Sequence, residues 1–173
     1  MQFKTHVLSI LESNIGGIYH ATSSVLQPLD NVQTKFINNL HMTECEAFLN
    51  FNLAPLCLRR DIAMLGFIHK VNLPNAHPDI MALFPKQPIT NANPNGKRLW
   101  NRFTFIVQPQ CSATLQRSIF ALVRIYNDLP HDIHLLSSVS EFQSAFTKLA
   151  RTQCELDSPT WHTMFSPRRN TVG

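Results

Sequence analysis

The sequence predicts a mainly α-helical domain, in which five or six amphipathic helices pack irregularly around one long loop with at most one short strand. Apolar residues recur three or four positions apart in several stretches, which is the period of a half-buried helix. A chain of 173 residues with 44% hydrophobic and only 15% charged residues is long and apolar enough to fold as a globular domain.

The helical pattern is clearest in residues 1–84, which we expect to form one helical region. A first helix is expected to begin at the N-terminus, without an N-cap of its own, and to end near Gly16. A helix that opens at the first residue is what a chain cut from a larger protein would show. The second has an apolar stripe of Val25, Leu29, Val32, Phe36 and Leu40, which Leu26 and Ile37 widen. Its polar side is expected to face solvent or a partner. A later helix places Leu58, Ile62, Leu65 and Ile68 on one face.

Helix starts are indicated by capping boxes, in which Ser or Thr is followed three positions later by Glu or Gln. The three pairs are Ser24 with Gln27, Thr43 with Glu46, and Ser138 with Glu141. Each predicts that a helix begins at the hydroxyl residue.

Proline and asparagine mark residues 85–98 as a loop. A second helical region is expected over residues 99–151, packed on the first. It includes a short strand at 102–107, because that stretch is aromatic and β-branched. Residues 152–173 turn polar and proline-containing, which predicts a disordered tail.

The residues of catalysis are missing from the sequence, which predicts a non-enzyme without a cofactor. A template-directed polymerase needs clustered carboxylates for two magnesium ions, but no two acidic residues are adjacent, and Asp128 and Asp132 flank a proline turn. Glycine-rich phosphate loops and nucleophile or zinc motifs are also absent. His131 and His134 are suitably spaced to share a metal, but a third ligand is not nearby.

The compartment expected from sequence is intracellular, either cytoplasmic or nuclear. Neither a secretory signal nor a membrane-spanning apolar run is recognisable. The four cysteines, Cys45, Cys57, Cys111 and Cys154, are far apart and are expected to be reduced thiols.

A formal net charge of +4 and a pI near 9.1 suit a nucleic-acid partner such as an RNA–DNA or RNA duplex. Trp100 and Phe103 are candidates for stacking on bases. The alternative is that these cations belong to solvated helix faces and that Trp100 anchors the loop. The candidate phosphate contacts are Lys35, Arg59, Arg60, Lys70, Lys97, Arg98 and Arg102.

Two stretches resemble the region that follows the polymerase palm in LINE-type, non-LTR retrotransposon reverse transcriptases. Residues 3–12 and 26–33 are similar to that family's thumb patterns "K-x-x-V-L-x-x-L-E-Y" and "L-x-x-L-x-x-V-Q-R-R". Residues 122–130, followed by 139–143, are similar to its ending "W-N-x-L-P … S-x-x-x-F-K". Residues 53–65 also resemble the segment between the two.

The resemblance spans roughly residues 3–150 and implies a non-catalytic C-terminal fragment, with residues 1–84 as its thumb-like part. The metal-binding palm and the endonuclease would lie outside this chain. Ser13 departs from the family's tyrosine, and Gln33-Thr34-Lys35 departs from its basic ending.

Two functions follow as hypotheses. The ancestral role implied by the resemblance is to hold template–primer nucleic acid by its backbone. The alternative is a helical protein-interaction module without a nucleic-acid role. Basic residues clustered on one concave face would favour the first, and an exposed apolar patch with dispersed charges would favour the second.

Overall fold

The computed structural model describes residues 2–86, 102–108 and 110–170. A π-helical segment, Phe3–Leu8, continues directly into α1. The α-helices are α1 (Ser9–Glu12), α2 (Ile15–Ile18), α3 (Ser23–Asn39), α4 (Glu44–Phe51), α5 (Leu56–Asn72), α6 (Pro78–Leu83), α7 (Ala113–Gln116), α8 (Leu122–Asn127), α9 (His131–His134) and α10 (Val139–Glu155). Short 3-10 helices occur at Ile119–Ala121, Trp161–Thr163 and Pro167–Asn170. The predicted mainly α-helical class is confirmed.

The centre of the fold is the packing of α5 against α10. Leu58, Leu65 and Ile68 of α5 meet Phe142 and Phe146 of α10, and all five side chains are almost completely buried. Helix α5 is buried on most of its circumference because α2, α3, α8 and α10 all pack around it. Apolar residues on more than one face allow a helix to occupy such a central position.

The N-terminal segment and α3 complete a smaller apolar cluster beside this centre. It joins Leu8, Ile37, Ala47, Leu53 and Leu56, which come from five different parts of the chain. The cluster fixes the position of α3 relative to α4 and α5.

Helix α3 buries only one edge of its predicted apolar stripe. Leu26 and Ile37, which widen the stripe, are buried, whereas Val25, Val32 and Leu40 are 55%, 41% and 49% exposed. Gln33, predicted on the polar side, is buried with them, so the buried row lies one residue, or roughly 100°, from the centre of the predicted stripe.

The buried Gln33 side chain is stabilised by backbone partners. Its amide donates hydrogen bonds to the carbonyls of Leu53 and Ala54 at 3.3 and 2.9 Å. These bonds satisfy the amide nitrogen and lower the cost of burying a polar residue on the inner face, although the buried amide oxygen has no partner among the described residues.

Of the three predicted capping boxes, the one at α4 is complete. Thr43 accepts from the backbone of Glu46, whose carboxylate accepts from Thr43 in return. At α10, Ser138 accepts from the backbone of Glu141, but the glutamate bonds to Ser137 instead.

The predicted box at α3 is wrong. The N-cap of this helix is Thr22, and the Gln27 amide donates to Asn31 one turn further along.

The prediction of a strand at 102–107 is also wrong. The structure describes this whole range, and its only β pairing is an isolated bridge between Lys86 and Phe103. The Asn127 side chain takes the place of a partner strand. It accepts from the Phe103 N–H at 3.0 Å and donates to the Phe103 carbonyl at 2.9 Å. Phe103 itself is buried in the main core, so its ring is not available to stack on a base.

The prediction of a disordered tail over residues 152–173 is wrong for residues 152–170, which the structure describes. Helix α10 continues to Glu155, and the following turns bring Trp161 and Phe165 into the main core. Trp161 stacks on Phe48 with ring centroids 5.5 Å apart, and Phe165 contacts Phe146. Two large apolar side chains stabilise an otherwise polar segment because their burial offsets the entropy lost on ordering.

Candidate functional site

The predicted nucleic-acid contacts are spread over several elements of the described structure. Lys35 is exposed on α3, Lys70 is exposed in the last turn of α5, and Arg102 is half-buried. Lys97, Arg98 and Trp100 lie outside the described residues, so their predicted roles stay predictions.

Arg60, another predicted contact, forms a buried ion pair. Its two terminal nitrogens each donate to a carboxylate oxygen of Asp30 at 2.7 Å. The Arg60 side chain is 5% exposed and that of Asp30 is 24% exposed. A guanidinium in this bidentate arrangement is already neutralised and turned inward, so it is not available to a phosphate.

Arg59 is also paired, through its Nε, with the carboxylate of Glu12 in α1. Both side chains are about one-quarter exposed. Lys70 lies eleven positions along α5 from Arg59, a separation of roughly 16 Å along the axis. Eleven residues make about three turns, so Arg59 and Lys70 share a face of the helix, but the charge of Arg59 on that face is balanced by Glu12.

The stretch that resembles the family ending forms a structural centre in this protein. The Tyr126 hydroxyl accepts from the Asn72 amide at 2.7 Å and lies 3.1 Å from Nδ1 of His69. Nε2 of His69 lies 2.9 Å from the carbonyl of Leu136. These contacts are all satisfied by a neutral imidazole that donates to Leu136 and accepts from Tyr126.

Both buried histidines have lowered pKa values. Burial lowers the pKa of His69, against a smaller raising effect from the Leu136 carbonyl. Burial also lowers the pKa of His134 to about 4, and the positive charge of Arg102 contributes. His134 packs edge-on against the Tyr126 ring, with centroids 4.8 Å apart. Protonation at this position would place a charge in the aromatic centre of the fold.

We expect the protein to lose stability as the pH falls from about 6.5 to 4. The unfolded His134 binds a proton near its ordinary pKa, whereas the folded residue resists protonation until about pH 4. Protons therefore favour the unfolded state across this window, at a cost of about 3 kcal/mol when complete. Urea titrations at several pH values measure this slope.

The matched variants for that experiment are His134→Gln and His20→Gln. His20 is exposed and lies outside the aromatic centre, so its replacement should leave the acid slope unchanged. An equally steep slope in both variants would show that His134 is not its source.

Within the described residues, no group of three or more His, Cys, Asp or Glu side chains is placed to hold a metal ion.

A groove of about 670 Å³ lies beside the smaller apolar cluster, and several of its lining residues pack against that cluster. Phe3 stacks on Phe36 of α3 with ring centroids 3.9 Å apart. Leu40 and Phe51 are about half exposed on its walls. The full lining is Gln2, Phe3, Lys4, Phe36, Leu40, Met42, Phe51 and Leu53.

The sequence predicted an apolar stripe on α3 but not how much of it stays outside the core. Phe36 and Leu40 belong to this stripe and line the groove, whereas Leu26 and Ile37 at its edge are buried. The sequence does not reveal that polar residues of α3 have partners inside the fold. Asp30, for example, accepts a hydrogen bond from Arg60, thirty positions away. Periodicity identifies an apolar row but does not say which of two neighbouring rows faces the core.

A smaller cleft of about 320 Å³ lies where α1, α5 and α10 meet. The Arg59–Glu12 pair, Gln143 and Thr147 contribute polar walls to it. The two charges in this cleft already satisfy each other, so it presents no free charged group.

Comparisons with known proteins gave no match, since neither a family model nor a curated protein nor a solved structure is significantly similar to this chain. Among the helices of the described residues, none is both long enough and apolar enough to cross a membrane.

Proposed function

We propose that this chain is a non-catalytic helical module of the kind found at the C-terminal end of LINE-type reverse transcriptases, and that it acts by docking another protein. The observation that carries the proposal is the exposed apolar groove formed by Phe36, Leu40 and Phe51. An apolar groove beside a helix is a common receptor for an amphipathic helix. The family assignment rests on the sequence resemblance described above.

The non-catalytic part of the proposal is supported by how the acidic residues are used. Asp30 pairs with Arg60, Glu12 pairs with Arg59, and Asp61 accepts a 2.7 Å hydrogen bond from the Tyr19 hydroxyl. These carboxylates neutralise cations or satisfy buried donors, which is a structural role.

The second candidate function is the ancestral grip on template–primer nucleic acid. It is favoured by Lys35 and Lys70, which are exposed and form no ion pair among the described residues. Two separated lysines provide little counterion release, whereas phosphate-gripping proteins gain affinity from many such contacts. We therefore favour protein docking over duplex binding.

Fluorescence anisotropy with a labelled RNA–DNA duplex distinguishes the two functions. A docking module is expected to show no saturable binding at about 50 mM salt. Saturable binding that weakens steeply at about 200 mM salt would instead support the nucleic-acid function. In that case the double variant Lys35→Ala/Lys70→Ala should weaken the binding more than Lys148→Ala, which removes an exposed lysine outside the predicted set.

A further inference from the structure

A disulfide joins the short helix α4 to the last turn of α10. Cys45, in the first turn of α4, is bonded to Cys154, one residue before the end of α10. Cys154 is only 2% exposed, whereas Cys45 is half-buried. The bond is therefore anchored in the core at one end and open to a small thiol at the other.

Helix α4 has few noncovalent contacts of its own with the core. Of its eight residues, Ala47 and Phe48 are the buried ones. A helix of this length is not stable alone in water, so it depends on its packing. Arg151 donates to the carbonyls of Phe48 and Leu49, and Trp161 stacks on the Phe48 ring. A local opening of α4 breaks these contacts but none between α5 and α10.

Both ends of α4 are flanked by a residue in the left-handed region of the backbone. His41, two positions before the N-cap Thr43, has a φ of 55°, and the C-cap Asn52 has a φ of 54°. Non-glycine residues adopt this conformation at some cost, although Asn and His tolerate it better than most. Both residues relax when the segment between them leaves the core, which makes them suitable hinges.

The disulfide restricts this opening in the oxidised protein. Cys45 remains bonded to Cys154 even when the other contacts of α4 are broken, so the opened segment is held as a closed loop. A closed loop has less conformational entropy than a free segment, and opening is less favourable for that reason. After reduction, only the noncovalent contacts hold α4 in place.

From these observations we propose that the Cys45–Cys154 bond is a redox switch that controls the local opening of α4. The reductant is a low-molecular-weight thiol such as glutathione. Its thiolate attacks the Cys45 sulfur, the S–S bond breaks, and the electron pair leaves with the Cys154 sulfur, which takes up a proton. A second thiol attacks the mixed disulfide and releases Cys45 as a thiol. Two thiols are thereby oxidised to one small disulfide for each protein disulfide that is reduced.

The switch acts on the apolar groove because α4 forms part of its wall. Phe51, the last residue of α4, lines the groove. Opening of α4 withdraws Phe51 and uncovers Phe48, so the groove keeps its full wall only while the disulfide is intact. This consequence rests on the docking function proposed above, whereas the switch itself does not.

Hydrogen exchange of the full chain, oxidised and reduced, at increasing urea concentrations tests the switch. Reduction should make the α4 amides exchange roughly tenfold faster or more, as expected for loss of a loop constraint. Their exchange in the reduced chain should depend only weakly on urea, because a local opening exposes little surface. The α5 amides should keep a steep dependence, since they exchange when the whole protein unfolds.

Reversibility and matched variants assign the effect to this bond. Oxidised glutathione should restore the protection of α4 and return the thiol count from four to two. Cys45→Ser/Cys154→Ser should behave as the reduced chain in both buffers. Cys111→Ser, which removes a cysteine outside the bond, should respond to reduction as the unmodified chain does.

Two results would overturn the switch. The same urea dependence for α4 and α5 in the reduced chain would show that α4 opens only with the whole protein. Fast exchange of α4 in the oxidised chain would show that the disulfide does not hold it closed. Neither result bears on whether the groove docks another protein.

Discussion

Reduction of the Cys45–Cys154 disulfide is expected to lower the melting temperature by roughly 10 °C. The disulfide links α4 to α10 across a separation of 109 residues, with Cα atoms 6.1 Å apart. A cross-link that closes such a long loop restricts the unfolded chain strongly, by up to about 4.7 kcal/mol in the loop-entropy description. Because α4 also packs directly against α10, and its Phe48 stacks on Trp161 in the following 3-10 helix, the reduced protein should still fold.

Differential scanning calorimetry with and without dithiothreitol measures this shift. Thiol titration in denaturant should find two free cysteines, Cys57 and Cys111, before reduction and all four afterwards. Burial raises the pKa of the Cys57 thiol to about 12, which keeps that thiol protonated and unreactive in the folded protein.

The variant Cys45→Ser/Cys154→Ser should melt at the same temperature in both buffers. Cys111→Ser should retain the full response to dithiothreitol. A melting temperature of the unmodified chain that is independent of reductant would contradict the stabilising role of the disulfide.

The disulfide also corrects the expectation of four reduced thiols, and its pairing shows what sequence spacing leaves out. Closely spaced cysteine pairs are recognisable in a sequence because local geometry brings them together. Cys45 and Cys154 meet only because α4 packs against α10, which is a property of the whole fold. Similarly, the ion pair between Arg60 and Asp30 depends on how α3 lies against α5.

Local signals in the sequence were more successful. The Thr43 capping box and the apolar face of α10, which includes Phe142 and Phe146, depend on residues within a few positions of each other. Helix α5 was also predicted from its apolar row. These features could be predicted because a helix and its cap are decided by nearby residues.

The aromatic and β-branched stretch at 102–107 shows a limit of the same reasoning. Such residues favour a pleated, half-buried surface, and Phe103 does occupy a buried position. Its backbone, however, is paired by the Asn127 side chain rather than by a strand. Residue type predicted the burial, and only the tertiary fold decided which group satisfied the backbone.

Substitution of Asp30 by asparagine is expected to destabilise the protein by about 3 kcal/mol. Asparagine has nearly the same size as aspartate but removes the bidentate carboxylate from the buried Arg60 guanidinium, which then keeps only the more indirect attraction of Asp61. The guanidinium is almost completely enclosed, so water cannot easily replace the lost carboxylate. Removal of one member of a buried pair costs more free energy than removal of both.

Denaturant unfolding of three variants tests this reasoning. Asp30→Asn should be the least stable, and Asp30→Leu/Arg60→Met should recover much of the loss because it leaves neither member of the pair without the other. Asp79→Asn removes a carboxylate from the exposed pair with His77 and should have little effect. If Asp30→Asn were as stable as Asp79→Asn, the charge of Arg60 would have to be balanced by Asp61 or by solvent instead of Asp30. Its original prediction as a phosphate contact would then deserve a direct test with the labelled duplex.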